Sequence, residues 1–237
     1  MLYNAGDSLL FYPESPPHAR IFVESPAAYS LPFENVFVRA VDGPGAPKLN
    51  LVFIKQHDII LPMAPTVVYF HGNAGNVGHR LPNVHALYKN FGCNVLLVEY
   101  RGYGKSEGKP GEMGFYEDAR TAIEYLMRRG DIDKRQIVVF GRSLGGAMAL
   151  FLASDPRYGP LIRYCVVENS FTNIPAIAKV IFSFRFVQML PAFLFKNQFP
   201  NDERVKKIEI PVLFLSGSQD ALIPSWMMRS LHEVSGK

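Results

Sequence analysis

Apolar residues change their spacing along this chain near residue 65. Before it, Val36-Phe37-Val38-Arg39-Ala40 and Leu49-Asn50-Leu51-Val52-Phe53-Ile54 flank the turn Gly43-Pro44-Gly45, a pattern that predicts an antiparallel hairpin at a sheet edge. After it, short continuous apolar runs recur: Thr66 to Phe70, Asn94 to Val98, Gln136 to Phe140, Tyr164 to Val167 and Pro211 to Leu215. Runs of this kind predict strands buried on both faces. Between them the spacing turns helical, with Leu81, Val84, Leu87 and Phe91 stopped by Gly92, and Phe115, Ala119, Ala122, Ile123 and Leu126 stopped by Gly130. Strands alternating with helices predict an α/β fold, a mostly parallel, doubly wound sheet that takes its ligand beyond the carboxyl ends of the strands.

Two stretches depart from that rhythm. Residues 1–35, with Tyr12-Pro13-Glu14-Ser15-Pro16-Pro17, read as an extended arm laid over a domain spanning 36–237. Within residues 170–205 one crossover helix is expected, yet some forty residues separate Val167 from Pro211, and they hold Phe171, Phe182, Phe184, Phe186, Phe193, Phe195 and Phe199 around Pro191. A small helical cap over the strand ends accounts for both the length and the aromatic content, and it offers an apolar wall for an acyl chain. A core-packed helix pair without a substrate role is the alternative.

Composition narrows the function classes. The chain has 237 residues, 48% of them apolar, with 18 Phe and a net charge of +4. Its basic residues are scattered, with no block of like charge, which argues against a nucleic-acid partner and leaves a membrane surface open. Cys93 and Cys165 lie in or beside apolar runs and read as inert core thiols. No apolar stretch reaches the roughly 18 residues of a spanning helix, and the first residues lack the basic start of a signal peptide. Neither cofactor nor metal is implied: no G-x-G-x-x-G follows the first central strand, and no His/Cys/Asp cluster has ligand spacing.

The candidate chemistry centres on Ser143. Gly141-Arg142-Ser143-Leu144-Gly145 sits between an apolar strand and the helix-like Ala147 to Ala153, the setting that a G-x-S-x-G nucleophile elbow requires. The turn is strained, and glycines let strand and helix approach closely enough to lift the hydroxyl clear of the sheet. An activated Ser needs a His to take its proton and an acid to orient that His. Asp220 lies in the turn after Pro211 to Leu215 and is the first candidate acid, with helix capping as its structural alternative; Glu168, ending the preceding strand, is a second. An oxyanion hole would combine the Leu144 N–H, at a helix N-terminus, with the N–H of Asn73 in the Gly-rich loop His71-Gly72-Asn73-Ala74-Gly75-Asn76.

Taken together, Tyr69-Phe70-His71-Gly72-Asn73-Ala74-Gly75-Asn76, Gly78-His79-Arg80-Leu81-Pro82-Asn83, Tyr100-Arg101-Gly102-Tyr103-Gly104-Lys105-Ser106-Glu107-Gly108 and the Ser143 elbow resemble the α/β-hydrolase superfamily. More narrowly, the chain is similar to the alpha/beta hydrolase domain-containing protein thirteen group, from about Phe11 onward. The resemblance implies an α/β-hydrolase fold and a serine hydrolase of acyl esters or thioesters, related to carboxylesterases and protein deacylases. Ser143 would be its nucleophile and Asp220 its acid, while His71 would shape the oxyanion loop. Members of that group usually begin with a membrane-spanning helix, and they continue into a last strand and a loop carrying the catalytic His. Neither is found in this sequence, so the last strand is expected to be missing and membrane association is implied only by the resemblance.

Six histidines are present, and none suits the base. His232 alone follows Asp220, on a helix expected to flank the sheet. His79 and His85 fall on the helix after the oxyanion loop, and His18 and His57 are peripheral. The expectation is therefore a hydrolase scaffold with an incomplete triad, acting on a small-molecule or lipidated acyl substrate. A catalytically silent acyl-ligand-binding or interaction module on the same scaffold is the alternative; the sequence does not set the oligomeric state.

Overall fold

The N-terminal apolar runs form β1, Phe33–Arg39, and β2, Lys48–Ile54, paired antiparallel from Phe33 opposite Ile54 to Arg39 opposite Lys48. The later runs form β3, Thr66–Phe70, β4, Asn94–Val98, β5, Ile137–Arg142, β6, Tyr164–Glu168, and β7, Val212–Leu215. This computed structural model describes Asp7, residues 10–182 and residues 184–236, with all their side chains except that of Phe186. The other residues of the expected arm, 1–6, 8 and 9, lie outside it, as does the Phe186 ring of the expected cap. Sheet order is β1-β2-β4-β3-β5-β6-β7, antiparallel from β1 to β4 and parallel from there on.

Helices stop where backbone chemistry stops them. Helix α1, Leu81–Phe91, ends at Gly92, whose φ of 59° is left-handed. Helix α2, Glu112–Arg128, ends two residues before Gly130, the expected stop, because Arg129 is already extended. Helix α3, Leu144–Ser154, starts directly after Ser143 and is buried along almost its whole length. Between β6 and β7 lie α4, Ile174–Ile181, α5, Arg185–Met189, a 3-10 turn at Ala192–Leu194 and α6, Asn201–Arg204. Helix α7, Ser225–Ser235, follows β7.

Register assigns every strand residue to one of two faces. On the first, Val68, Phe70, Val98, Val139, Cys165 and Val167 join buried residues of α2, α3 and α7 in the larger core. On the second, Tyr69, Val95 and Leu97 pack with Leu81, Val84 and Tyr88 of α1. That second layer stops near β5, where Phe140 stacks on Tyr69 with ring centroids 4.8 Å apart. Beyond it, Tyr164 of β6 and Leu213 and Leu215 of β7 are 45%, 55% and 41% exposed. The sequence pattern predicts burial on both faces for these strands; among the described residues no helix covers their second face, and β7 pairs only with β6.

Candidate active site

At the carboxyl end of β5 the chain reverses into α3 through Ser143, whose φ of 54° and ψ of −117° are strained for any residue with a side chain. Close packing enforces the turn. A Cβ on Gly141 would lie 2.1 Å from the Gly145 carbonyl oxygen, and one on Gly145 would lie 2.0 Å from the Phe70 carbonyl oxygen. The Ser143 N–H donates to the Glu168 carbonyl (2.9 Å), and its own carbonyl accepts from Gly146 N–H and from Ser170 Oγ, both at 2.9 Å. Backbone bonds thus anchor the residue on two sides, while among the described residues its half-buried hydroxyl forms no hydrogen bond.

Loop 71–76 after β3 lies against this turn: a Cβ on Gly72 would come within 3.7 Å of Ser143 Cβ. Its shape depends on a buried layer beneath. His71 Nε2 meets Glu99 Oε1 at 3.1 Å with both side chains fully buried, and His71 Nδ1 meets the Gly72 carbonyl at 2.7 Å. The other Glu99 oxygen accepts from Val77 N–H (3.1 Å), and Tyr100 Oη donates to the His71 carbonyl (2.7 Å). The Asn73 side chain is fully engaged, its amide donating to the Leu10 carbonyl (2.6 Å) and its oxygen accepting from Tyr103 Oη (2.8 Å) and Tyr12 N–H (3.3 Å). Burial pushes the hydroxyls of Tyr100 and Tyr103 above their ordinary range, so both remain protonated donors. With its side chain pinned, Asn73 is left its backbone N–H to offer, on the same edge as the Leu144 N–H, which as an N-terminal helix amide has no partner within its own helix.

Segment 99–108 supports that layer. Arg101 donates through its backbone N and Nε to Asp118, both at 2.7 Å, and through its two terminal nitrogens to Asp42 at 3.1 and 3.2 Å. Gly104, with φ of +43°, passes so near Glu99 that a Cβ would fall 2.0 Å from its Oε2. Glu99 was not singled out by sequence reasoning. Its signal was faint, an acid placed directly after the wholly buried β4, where burial demands a partner.

Among the acid candidates, Asp220 is half-buried in the loop after β7, on the same sheet edge as Ser143. Its Oδ1 accepts the N–H groups of Leu222 and Ile223, both at 2.8 Å, so the carboxylate also holds its own turn; among the described residues it makes no hydrogen bond to Ser143. Glu168 turns its carboxylate toward Arg142, with Nε at 3.6 Å. The histidines are engaged elsewhere. His232 is exposed on α7 with its ring edge-on to Phe214 at 5.7 Å, His79 Nδ1 accepts from Asn76 N–H and its ring neighbours His18, His85 faces Tyr29, and His57 is exposed. Ser143 and the oxyanion loop therefore come together, Asp220 shares their edge, and no described His joins them by a hydrogen bond.

An open groove of about 910 Å³ runs beside the loop, lined by Phe11, Tyr12 and Pro13 on one side and Pro110 and Lys196 on the other. Among the described residues no group of His, Cys, Asp and Glu could hold a metal ion, and no helix is long and apolar enough to cross a membrane.

Comparison with known proteins bears on this arrangement. A family model described as the alpha/beta hydrolase fold matches residues 65–182. Alpha/beta hydrolase domain-containing protein WAV2 of Arabidopsis thaliana is 34% identical over 98% of this chain and 76% of its own length. The uncharacterized membrane protein YNL320W of Saccharomyces cerevisiae is 35% identical over 98% of this chain and 78% of its own length. Among solved structures, the Pyrococcus furiosus esterase Pf2001 superposes with a TM-score of 0.72 at 22% identity, covering 95% of this chain and 84% of that one, a likeness of fold. With its elbow, its seven-stranded sheet and relatives above 30% identity along almost its whole length, the chain belongs to the alpha/beta hydrolase family.

Proposed function

We propose that this hydrolase scaffold acts on acyl esters or thioesters through Ser143. The carrying observation is the strained backbone of half-buried Ser143 between β5 and α3, beside the loop after β3, with no hydrogen bond to its hydroxyl among the described residues. Ser143 Oγ attacks the acyl carbonyl carbon, and the charge that develops on the carbonyl oxygen is met by the N–H groups of Asn73 and Leu144. The alcohol or thiol leaves, and water then releases the acyl group from Ser143. Asp220 serves as the acid, and the segment 170–205 with its phenylalanines walls the acyl chain. The esterase name of the Pyrococcus furiosus structure supports ester chemistry for this chain.

The triad is read as incomplete, because every described His has its ring or its chain position committed away from Ser143. Binding and an oxyanion hole without the base still exceed the rate in water by about 10³-fold, far below a complete site. The test is labelling by a fluorophosphonate, with and without imidazole as an added base. Labelling at Ser143 that imidazole accelerates and Ser143→Ala abolishes is expected; no labelling under either condition overturns the nucleophile assignment. The same commitment of the histidines favours a second reading, an acyl-binding module without turnover. Saturable binding of a fatty-acyl ligand, unchanged by Ser143→Ala and with no product, would establish it in place of the enzyme.

We also read the chain as working at a membrane, supported by the relative whose name calls it a membrane protein.

A further inference from the structure

The stretch between β6 and β7 buries Phe171, Ile174, Ile177 and Phe199 but carries a second set of apolar residues outward. Val180, Ile181, Phe182 and Phe184 are between 37% and 62% exposed, Met189 is 75%, Phe193 80% and Leu194 54% exposed. The turn Ala192–Leu194 buries none of its residues, and α5 buries Val187 while leaving Met189 out. An apolar patch of this kind on a folded domain marks a surface that meets something other than water.

Charge says what that is. From Asn169 through Asn201 the sequence has no Asp or Glu, while Lys179, Arg185 and Lys196 are all cationic. Lys196 pairs with Asp7, whereas Lys179 and Arg185 form no ion pair among the described residues. Protruding Phe, Met and Leu flanked by unpaired cations, with acids excluded, match the boundary between acyl chains and anionic headgroups.

We infer that this segment docks onto an anionic lipid surface, with Met189, Phe193 and Leu194 entering the acyl region and Lys179 and Arg185 meeting the headgroups. It rests on the reading of the chain as one that works at a membrane, but not on Ser143. The segment leaves the sheet at the carboxyl end of β6, and Glu112 at the start of α2 ties it down by accepting from the Gln198 and Phe199 amides at 2.5 and 2.9 Å. A docked molecule would thus face the lipid with the edge that carries Ser143, and an acyl group would reach that edge without crossing water.

Flotation of the whole chain with phosphatidylcholine–phosphatidylserine vesicles tests this. The intact chain should float with them, and Met189→Ser/Phe193→Ser should weaken binding at least about tenfold, since each side chain loses the transfer of apolar surface out of water. Lys179→Gln/Arg185→Gln should weaken it about fivefold per cation and flatten its salt dependence. Both variants should keep the wild-type circular dichroism and melting temperature, because Arg185, Met189 and Phe193 are exposed and Lys179, half-buried, forms no ion pair among the described residues. Leu213→Ser/Leu215→Ser, on the uncovered face of β7, should bind vesicles as wild type does. Vesicle binding that survives the Met189/Phe193 change and is lost with the β7 change would overturn the inference while leaving a membrane role intact. No vesicle binding, or sedimentation showing a dimer that the Met189/Phe193 change dissolves in its place, would overturn it too.

Discussion

Gly145 permits a test in which local propensity and packing predict opposite signs. It is the second residue of α3, so replacement by Ala would by helix propensity alone add up to about 1 kcal/mol of stability. The added Cβ, however, would stand 2.0 Å from the Phe70 carbonyl oxygen, 2.5 Å from its carbon and 2.8 Å from the His71 oxygen. All three are backbone atoms at the end of a central strand, so no side chain can swing away. Reaching the 3.0 Å that real Cβ atoms respect requires roughly 1 Å of separation between α3 and β3. Overpacking costs about 1–3 kcal/mol where neighbours can yield. Here the top of that range applies, which leaves a net loss of about 2 kcal/mol after the propensity gain. For a chain of this size that is a fall of roughly 4–8 °C in melting midpoint. Labelling of Ser143 should fall with it, since a shift of about 1 Å at a reacting group can cost 10²-fold. Gly130→Ala is the control, because its Cβ would meet nothing within 4 Å. Calorimetry of both variants reads the result, and Gly145→Ala melting at or above wild type would refute the account of the elbow as glycine-enforced.

Further outcomes follow from other contacts. Ser143→Gly should be more stable than Ser143→Ala by about 1–2 kcal/mol in urea unfolding, because only Gly adopts φ of 54° with ψ of −117° without strain; equal stabilities would place no strain there. Asp118→Ala strands the largely buried Arg101 guanidinium with Asp42 alone and should cost about 3–5 kcal/mol, while Arg101→Met/Asp118→Leu together should cost less than the sum of the single changes; additivity in the double-mutant cycle would deny the coupling. Burial pushes the Cys93 thiol up to about 11 and the Cys165 thiol up to about 12. The unfolded chain therefore loses these protons first, and stability should fall as pH rises through 9, by at most about 1.4 kcal/mol per pH unit per thiol, with a shallower fall in Cys165→Ala. Neither thiol should react with a disulfide reagent at pH 8 until the protein is denatured.

Legibility in the sequence followed the range of the interaction. β3 and β4 have the bounds their apolar runs predict, because a buried parallel strand writes most of its length as hydrophobic residues, here after an initial Thr66 or Asn94. Ser143 was legible for a similar reason: the geometric demand of the elbow falls on adjacent glycines. Glu99 was not, since its partners His71 and Val77 come from another loop and single charges give no period. The exposure of Leu213 and Leu215 was equally hidden, because an apolar run states that a strand can be covered and says nothing of which element covers it. The stretch from Phe171 to Phe199 was read by its length and its rings, and the rings divide: Phe171 and Phe199 pack edge-on at 6.3 Å in the core, while Phe193 is exposed.

The half-bare margin formed by β6 and β7 sets an order of events when the molecule opens. Deuterium should enter the backbone of Val212–Leu215 well before that of Ile137–Arg142, which is flanked by strands on either side. Fraying would then begin two strands away from Ser143 and carry off the loop that holds Asp220 first, leaving the serine still seated in its turn.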